Sequence, residues 1–349
     1  MPEHAAFPVD ITTVMDEGNK SSGGEAPRNA AGVGAFVEAM RVSHWIKNVF
    51  VAAPILFAGK LAEARAWGEC LAAVTAFCLL SSAVYLINDV CDRSGDRAHP
   101  VKCRRPVASG RLSVSSALAG AGVLSLCGLG IVAAVGAFTF DRGKTLMGLG
   151  VLLWAGAYLA LNVLYSLWLK RYLIVDVIVV AFGFVLRAMA GAAAIAAPIS
   201  PWLVVCTFTL CLFIALTKRR SEIAELPAEV AGEARAVNSG YDRLDIEHML
   251  TVSAALAILT YSLYCLAPGT VRRIDSAHMV WTIPLVIYGI FRYSRVTRRA
   301  GRNDPVKALV RDRVMWFVVA AYAVLTALVL RFGSHPVVRD ILHVDFLVR

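Results

Sequence analysis

The chain has 349 residues, of which 58% are hydrophobic and 17% charged, and its mean hydropathy is +0.64. Soluble domains are about 45–50% apolar and about 25% charged, so this composition excludes a disordered chain, a disulfide scaffold and most soluble folds. It indicates an integral membrane protein. The net charge of +10 usually reflects cytoplasmic loops in such proteins, and we expect no nucleic-acid partner.

The N-terminal residues 1–34 are rich in Gly, Ala, Ser and charge and lack an apolar core, which predicts a disordered tail. We expect residues 35–349 to form a single transmembrane domain. Nine apolar segments follow the tail, at about 42–58, 67–89, 113–138, 145–169, 173–197, 201–217, 248–267, 278–291 and 314–332.

These apolar segments predict an all-α membrane protein with about nine transmembrane helices. A spanning helix needs about 20 apolar residues, so the first, sixth and eighth segments must tilt or extend into flanking residues. The runs are unbroken, whereas the strands of a membrane β-barrel alternate.

The basic residues predict the orientation. With the N-terminus inside, Lys and Arg in the cytoplasmic connections far outnumber those on the opposite side, as the positive-inside rule requires. We therefore expect a multi-pass protein of the plasma (inner) membrane. In this orientation the polar clusters of interest all fall at the cytoplasmic face.

The most informative segment is NDVCDRSGD at 88–96, followed by HPVKCRRP at 99–106. If the helix continues past Asp89, then Asp89, Asp92 and Asp96 project from one face. Uncompensated carboxylates there would repel each other, and Mg²⁺ commonly bridges one or two carboxylates to substrate phosphates. The segment predicts a Mg²⁺-held diphosphate at the membrane surface. The alternative is a solvated loop in which Asp and Arg offset one another.

This segment resembles the first aspartate-rich motif of the UbiA-type intramembrane prenyltransferase superfamily. The resemblance implies a UbiA-like bundle of nine helices with a polar cavity facing the cytoplasm. It also implies a Mg²⁺ cofactor held by Asn88, Asp89, Asp92 and Asp96, with the three aspartates as the catalytic residues.

One stretch departs from the aromatic prenyltransferases of the superfamily, which carry a second aspartate-rich motif after the sixth helix. Here residues 218–225 read KRRSEIAE. The strings RVSHWIKN (41–48), YSLWLKRYLIVDV (165–177), FVLRAMAGA (184–192) and KRRSE (218–222) instead resemble the decaprenyl-phosphate phosphoribosyltransferase branch. That branch moves 5-phosphoribosyl from phosphoribosyl pyrophosphate (PRPP) to a polyprenyl phosphate, and cations suit the additional phosphates.

The candidate substrate-binding residues are polar or charged side chains near the same face. They are Lys47, Asn48, Lys102, Arg105, Tyr165, Lys170, Asp176, Arg187, Lys218, Arg219 and Glu222.

Two of these candidates have open alternatives. Arg187 lies in mid-span, where ionisable groups usually line a cavity or pair with another group. It is eleven residues from Asp176, so the two share a helix face. It either holds an anion, orients Asp176 or forms a structural ion pair. Lys47 either binds phosphate or extends to the lipid headgroups.

The resemblance thus implies transfer of phosphoribosyl from PRPP to a polyprenyl phosphate, releasing pyrophosphate, for synthesis of an arabinose donor for the cell envelope. One alternative is a conventional prenyltransferase that joins a polyprenyl diphosphate to an aromatic acceptor. A transporter is disfavoured because we see no internal repeat. Membrane lipids are expected partners, and homo-oligomerisation is left open.

Overall fold

The computed structural model describes residues 28–140, 145–224, 243–300, 311–335 and 337–338, and within these ranges it contains helices and no β-strand. The helices are α1 (Arg28–Ala39), α2 (Val49–Phe57), α3 (Ala64–Cys91), α4 (Arg93–Ala98), α5 (Val114–Phe140), α6 (Thr145–Leu167), α7 (Val175–Ala194), α8 (Pro201–Ala224), α9 (Arg243–Leu266), α10 (Pro268–Ile274), α11 (Ile283–Ala300) and α12 (Arg313–Phe332). Short 3₁₀ turns cover Val42–Asn48, Lys102–Arg104, Leu169–Arg171 and His278–Thr282.

Six of the described helices are long and apolar enough to span a membrane. They lie within α3, α5, α6, α7, α9 and α12. A bent pair, Pro268–Ile274 with His278–Arg298, makes a seventh if it counts as one span. The all-α membrane architecture is therefore confirmed, whereas the predicted count of nine spans is not.

The first predicted span differs most from expectation. Residues 42–58 form a 3₁₀ turn followed by the nine-residue α2, which contains Pro54. A helix rises 1.5 Å per residue, so α2 is too short to cross a bilayer alone. The 3₁₀ turn begins after Arg41, whose backbone is left-handed with φ 51°.

At the N-terminus, helix α1 begins at Arg28. The predicted boundary of the disordered tail, residue 34, thus falls inside this helix. Residues 1–27 lie outside the described residues, and the division into a tail and a single domain stays a prediction.

The core lies around α3 and α7. In these two helices 61% and 72% of the span is buried inside the protein, against 22% for α5, α6 and α12. The apolar side chains of α3, α5, α6 and α7 form one cluster, with Phe77 and Tyr158 at its centre. Residues of α8, α9, α11 and α12 form a second cluster that includes Phe213 and Tyr293. Helices α3 and α7 carry the polar groups described below, so the site is built on the most buried elements.

A close backbone approach fixes α2 against α7. A Cβ atom added at Gly191 would lie 1.8 Å from the carbonyl oxygen of Val51. Only glycine allows this packing, because the obstacle is backbone and cannot rotate away.

We predict that Gly191→Ala destabilises the protein by about 1–3 kcal/mol, the usual penalty for overpacking, and lowers its melting temperature in detergent. Gly156→Ala is the matched control, since a Cβ at Gly156 in α6 meets nothing within 4 Å and alanine favours the helix. Equal melting temperatures for Gly191→Ala and the native chain would contradict this close approach.

Candidate active site

The three aspartates lie where α3 gives way to α4. Asp89 is in the last turn of α3, Asp92 is the residue between the two helices, and Asp96 is in α4. Asp89 and Asp96 are buried, with 1% and 5% of their surface exposed. Helix α3 continues only two residues past Asp89, so the three aspartates do not lie on one unbroken helix.

Each aspartate contacts a cation from a distant segment. Arg41 donates a hydrogen bond to Oδ1 of Asp89, and Lys170 donates one to Oδ1 of Asp92. Nη1 of Arg105 lies 2.7 Å from Oδ2 of Asp96 and 3.5 Å from Oδ1 of Asp89. The expectation of uncompensated carboxylates is therefore wrong, because the fold brings three cations to them.

Arg105 lies between two carboxylates, in a position that would also suit a metal cation. Two carboxylates bracket one guanidinium nitrogen, and Oδ2 of Asp89 is buried without a hydrogen-bond partner. Asn88 adjoins this site, and its side-chain amide donates to Oδ2 of Asp92 at 2.9 Å. Within the described ranges, no three His, Cys, Asp or Glu side chains converge as a metal-binding group. A metal would thus need ligands from substrate, as Mg²⁺ commonly takes.

The loop after α4 carries Lys102 and Arg105 past the aspartates. His99 organises it, since Nδ1 of its ring accepts the backbone N–H groups of Val101 and Lys102 at 3.1 and 3.3 Å. Burial, followed by the nearby charge of Lys102, lowers the pKa of His99. The neutral ring is the form that can accept these bonds.

A second charged cluster joins α7 and α8. Arg219 donates hydrogen bonds to Asp176 and to Oε2 of Glu222. Lys218 lies 3.6 Å from Oε1 of Glu222. The basic segment 218–224 is the end of helix α8 and not a loop, which places Arg219 and Glu222 on one side of the helix, three residues apart.

Arg187 does not approach Asp176. It donates from Nε to Asn48 at 3.1 Å, from Nη1 to the Gly183 carbonyl and from Nη2 to the Tyr158 hydroxyl at 2.7 Å. Its guanidinium also lies 4.6 Å from the centre of the Tyr158 ring. Orientation of Asp176 by Arg187 is therefore wrong. So is the structural ion pair, because no carboxylate in the described parts of the chain lies within salt-bridge distance of Arg187.

The remaining candidates lie in different surroundings. Asn48 is fully buried and also donates to Ser81 and Cys78, so it belongs to the Arg187 network. Tyr165 is half-buried in the last turns of α6. Lys47 is half-buried and close enough to Lys218 for the two charges to interact.

Arg41 was not among the predicted site residues, yet it contacts the aspartate cluster. Its partner Asp89 is the most buried of the three aspartates in segment 89–96, and the Arg41 guanidinium lies 4.8 Å from the centre of the Tyr85 ring. Its partner is 48 residues away, so no local pattern reveals the pair. The only local signal is a basic residue at the point where a helix must break.

An apolar cavity of about 440 Å³ lies between α2, α8, α9, α11 and α12. Its lining includes Phe50, Phe213, Ile214, Tyr264 and Met315. Lys47 precedes Phe50 by three residues, and Lys218 follows Ile214 by one helical turn. Two cationic side chains therefore lie close along the chain to the cavity lining, Lys47 in the 3₁₀ turn before α2 and Lys218 near the end of α8.

The family model for the UbiA prenyltransferase family matches residues 49–319. The chain belongs to the UbiA prenyltransferase family. It is therefore an enzyme of the transferase class and a multi-pass membrane protein. The resemblance drawn from the sequence is confirmed.

Related proteins and structures agree with this membership. The chain is 29% identical over 325 residues to the decaprenyl-phosphate phosphoribosyltransferase of Mycolicibacterium smegmatis, covering 90% of this chain and 96% of that one. It is 31% identical over 315 residues to the enzyme of that name in Corynebacterium glutamicum, covering 89% and 90%. A UbiA homolog from Archaeoglobus fulgidus, solved with GPP and Mg²⁺, shares the fold with a TM-score of 0.63 at 16% identity. That match covers 85% of this chain and 99% of the homolog.

We predict that Arg187→Met destabilises the protein by about 2–6 kcal/mol, because it leaves the buried Asn48 and Tyr158 groups without their partner, at about 1–3 kcal/mol each. Thermal unfolding in detergent measures the loss. Arg295→Met, which removes an exposed cation from α11, is the control and changes stability by less than about 0.5 kcal/mol. A native-like melting temperature for Arg187→Met would show that the network contributes little.

Proposed function

We propose that the protein transfers 5-phosphoribosyl from PRPP to a polyprenyl phosphate, with Mg²⁺ as cofactor, and releases pyrophosphate. The names of the relatives at 29–31% identity support a polyprenyl phosphate acceptor. By the same resemblance, the product would serve the synthesis of an arabinose donor for the cell envelope. The protein would lie in the plasma membrane with its N-terminus and active site on the cytoplasmic side.

The observation that carries this proposal is the position of the basic residues relative to the carboxylates and the cavity. The aspartates of α3 and α4 lie at one end of the bundle, and Lys47 and Lys218 lie near the same end. The lining of the apolar cavity comes within one helical turn of each lysine along the chain, at Phe50 and Ile214. An amphiphile with an anionic head and an isoprenoid tail matches this order, and the names of the relatives favour a polyprenyl phosphate as that amphiphile.

The metal would be held mainly by Asp89 and Asp96, with Asp92 and Asn88 beside them. Asp89 has a carboxylate oxygen without a hydrogen-bond partner, and Mg²⁺ prefers one or two carboxylates together with substrate phosphates. When bound, the ion stabilises the negative charge that develops on the departing pyrophosphate.

The protein side chains bind and orient two anionic substrates. An oxygen of the lipid phosphate attacks C1 of ribose, and the bond from C1 to pyrophosphate breaks, so pyrophosphate leaves with the electron pair. The attacking group is already an anion, so no strong general base is needed. Lys47, Lys102 and Lys218 reduce the repulsion between the substrates and hold them in line. A single displacement inverts C1.

The first test is transfer by the purified protein in nanodiscs. With Mg²⁺, polyprenyl phosphate and ribose-labelled PRPP, we expect label in the lipid fraction, lost on EDTA treatment. Asp89→Asn should lower the rate by about 100-fold or more, the scale for loss of one preorganised charge-stabilising group. Asp275→Asn is the control, since Asp275 is exposed at the end of α10 in a left-handed conformation that asparagine tolerates.

A parallel reaction contains a polyprenyl diphosphate and 4-hydroxybenzoate. Product only in that reaction would contradict phosphoribosyl transfer and establish a conventional prenyltransferase. Equal losses for Asp89→Asn and Asp275→Asn would contradict the placement of the active site at the aspartates.

A further inference from the structure

The structure contains two carboxylate pairs that each enclose one guanidinium. Asp89 and Asp96 lie on either side of Arg105. Asp176 and Glu222 lie on either side of Arg219. In both groups one arginine lies between two acidic residues that belong to different helices.

The two guanidinium groups differ in how firmly they are held. Arg105 follows a 3₁₀ turn in an irregular loop, and 28% of its side chain is exposed. Arg219 lies inside helix α8, only 7% of its side chain is exposed, and the Asp176 side chain is fully buried. Arg105 can thus leave its carboxylates when a loop moves, whereas displacement of Arg219 requires α8 to shift.

The carboxylates differ in the same way. Asp89 keeps a buried oxygen without a partner. At Glu222 each oxygen already faces a cation, with Oε2 bonded to Arg219 and Oε1 lying 3.6 Å from Lys218. Both pairs have two cations nearby, Arg41 and Arg105 at the first and Lys218 and Arg219 at the second. The first pair differs because Asp89 keeps one oxygen without a partner, and that oxygen can accept a metal ion.

Arginine suits a permanent cation. It stays protonated at all accessible pH values, and its planar fork donates to two carboxylates at once. Where such an arginine lies between the acidic residues, their negative charge is already balanced. A divalent ion added beside the arginine would leave the site with excess positive charge.

We infer that Arg219 is a permanent cation between Asp176 and Glu222. It takes the kind of position there that a metal ion would take between Asp89 and Asp96. This rests on the proposed function, in which the metal binds at the first pair. The enzyme then works with one divalent ion, and Arg219 is a positioning residue that keeps the second pair closed to metal.

The experiment counts Mn²⁺ ions bound by the purified full-length protein, using calorimetry and the loss of the free Mn²⁺ signal in electron paramagnetic resonance. We expect one ion on the native protein and one further ion on Arg219→Gln, because the variant removes the cation that lies between Asp176 and Glu222. The side chain of Glu222 is 27% exposed, which leaves a path for the ion. Mn²⁺ should also raise the melting temperature of Arg219→Gln more than that of the native protein.

Two control variants separate this result from a general loss of charge. Arg220→Gln removes the neighbouring arginine, which contacts Glu247 and Thr297, and should bind one ion like the native protein. The double variant Asp176→Asn with Arg219→Gln removes the acidic ligand as well, and should lose the additional ion and the additional stabilisation by Mn²⁺.

Two ions on the native protein would overturn the inference, and so would an equal count for Arg219→Gln and the native chain. The native count decides even if Arg219→Gln does not fold. No ion on the native protein would instead contradict the metal site of the proposed function. In that case, the difference between Arg219→Gln and the native protein still decides the role of Arg219.

Discussion

The structure depends on pairing buried carboxylates with cations from other segments of the chain. Asp89, Asp96 and Asp176 are nearly or fully buried, and an uncompensated charge in such a position costs several kcal/mol. That is a large fraction of the roughly 5–15 kcal/mol by which native proteins are stable. The segment before α2, the loop after α4 and helix α8 each supply an arginine. These pairs join segments whose helices also pack through their apolar side chains.

The same pairs prepare the site for its chemistry. A phosphate-bearing substrate needs cations that are already positioned, and a metal needs carboxylates held apart from one another. Both needs are met at one end of the bundle, because the cations that stabilise the fold stand beside the carboxylates that would bind metal. The apolar cavity lies between the helices and is lined by other residues, so the charged cluster and the apolar cavity are separate parts of the protein.

Much of this could be predicted from the sequence. Long apolar runs predict the helices α3, α5, α6 and α7, and the spacing of Asp89, Asp92 and Asp96 predicts a common site. The end of α8 was misjudged because KRRSE was interpreted as a loop, although Lys, Arg and Glu are good helix formers. The first span was misjudged because hydropathy does not show that Val42–Asn48, which follow Arg41, form a 3₁₀ turn and not the first part of a long helix.

The ion pairs could not be predicted from the sequence. Arg41 and Asp89 are 48 residues apart, and Arg219 and Asp176 are 43 apart, so their contact depends on how the helices pack. Arg187 and Asp176 share a helix and a face, yet each bonds elsewhere because neighbouring helices offer nearer partners. Local spacing shows which groups could meet, and tertiary packing decides which do.

The most direct test of the central claim is to locate Mn²⁺ by its anomalous scattering in crystals grown with pyrophosphate. The account predicts a peak between Asp89 and Asp96, with Arg105 moved from its place between them and Arg219 still on Asp176. A peak elsewhere, with Arg105 still bonded to Asp96, would contradict it, because the aspartates would then be a structural cluster and not the metal site.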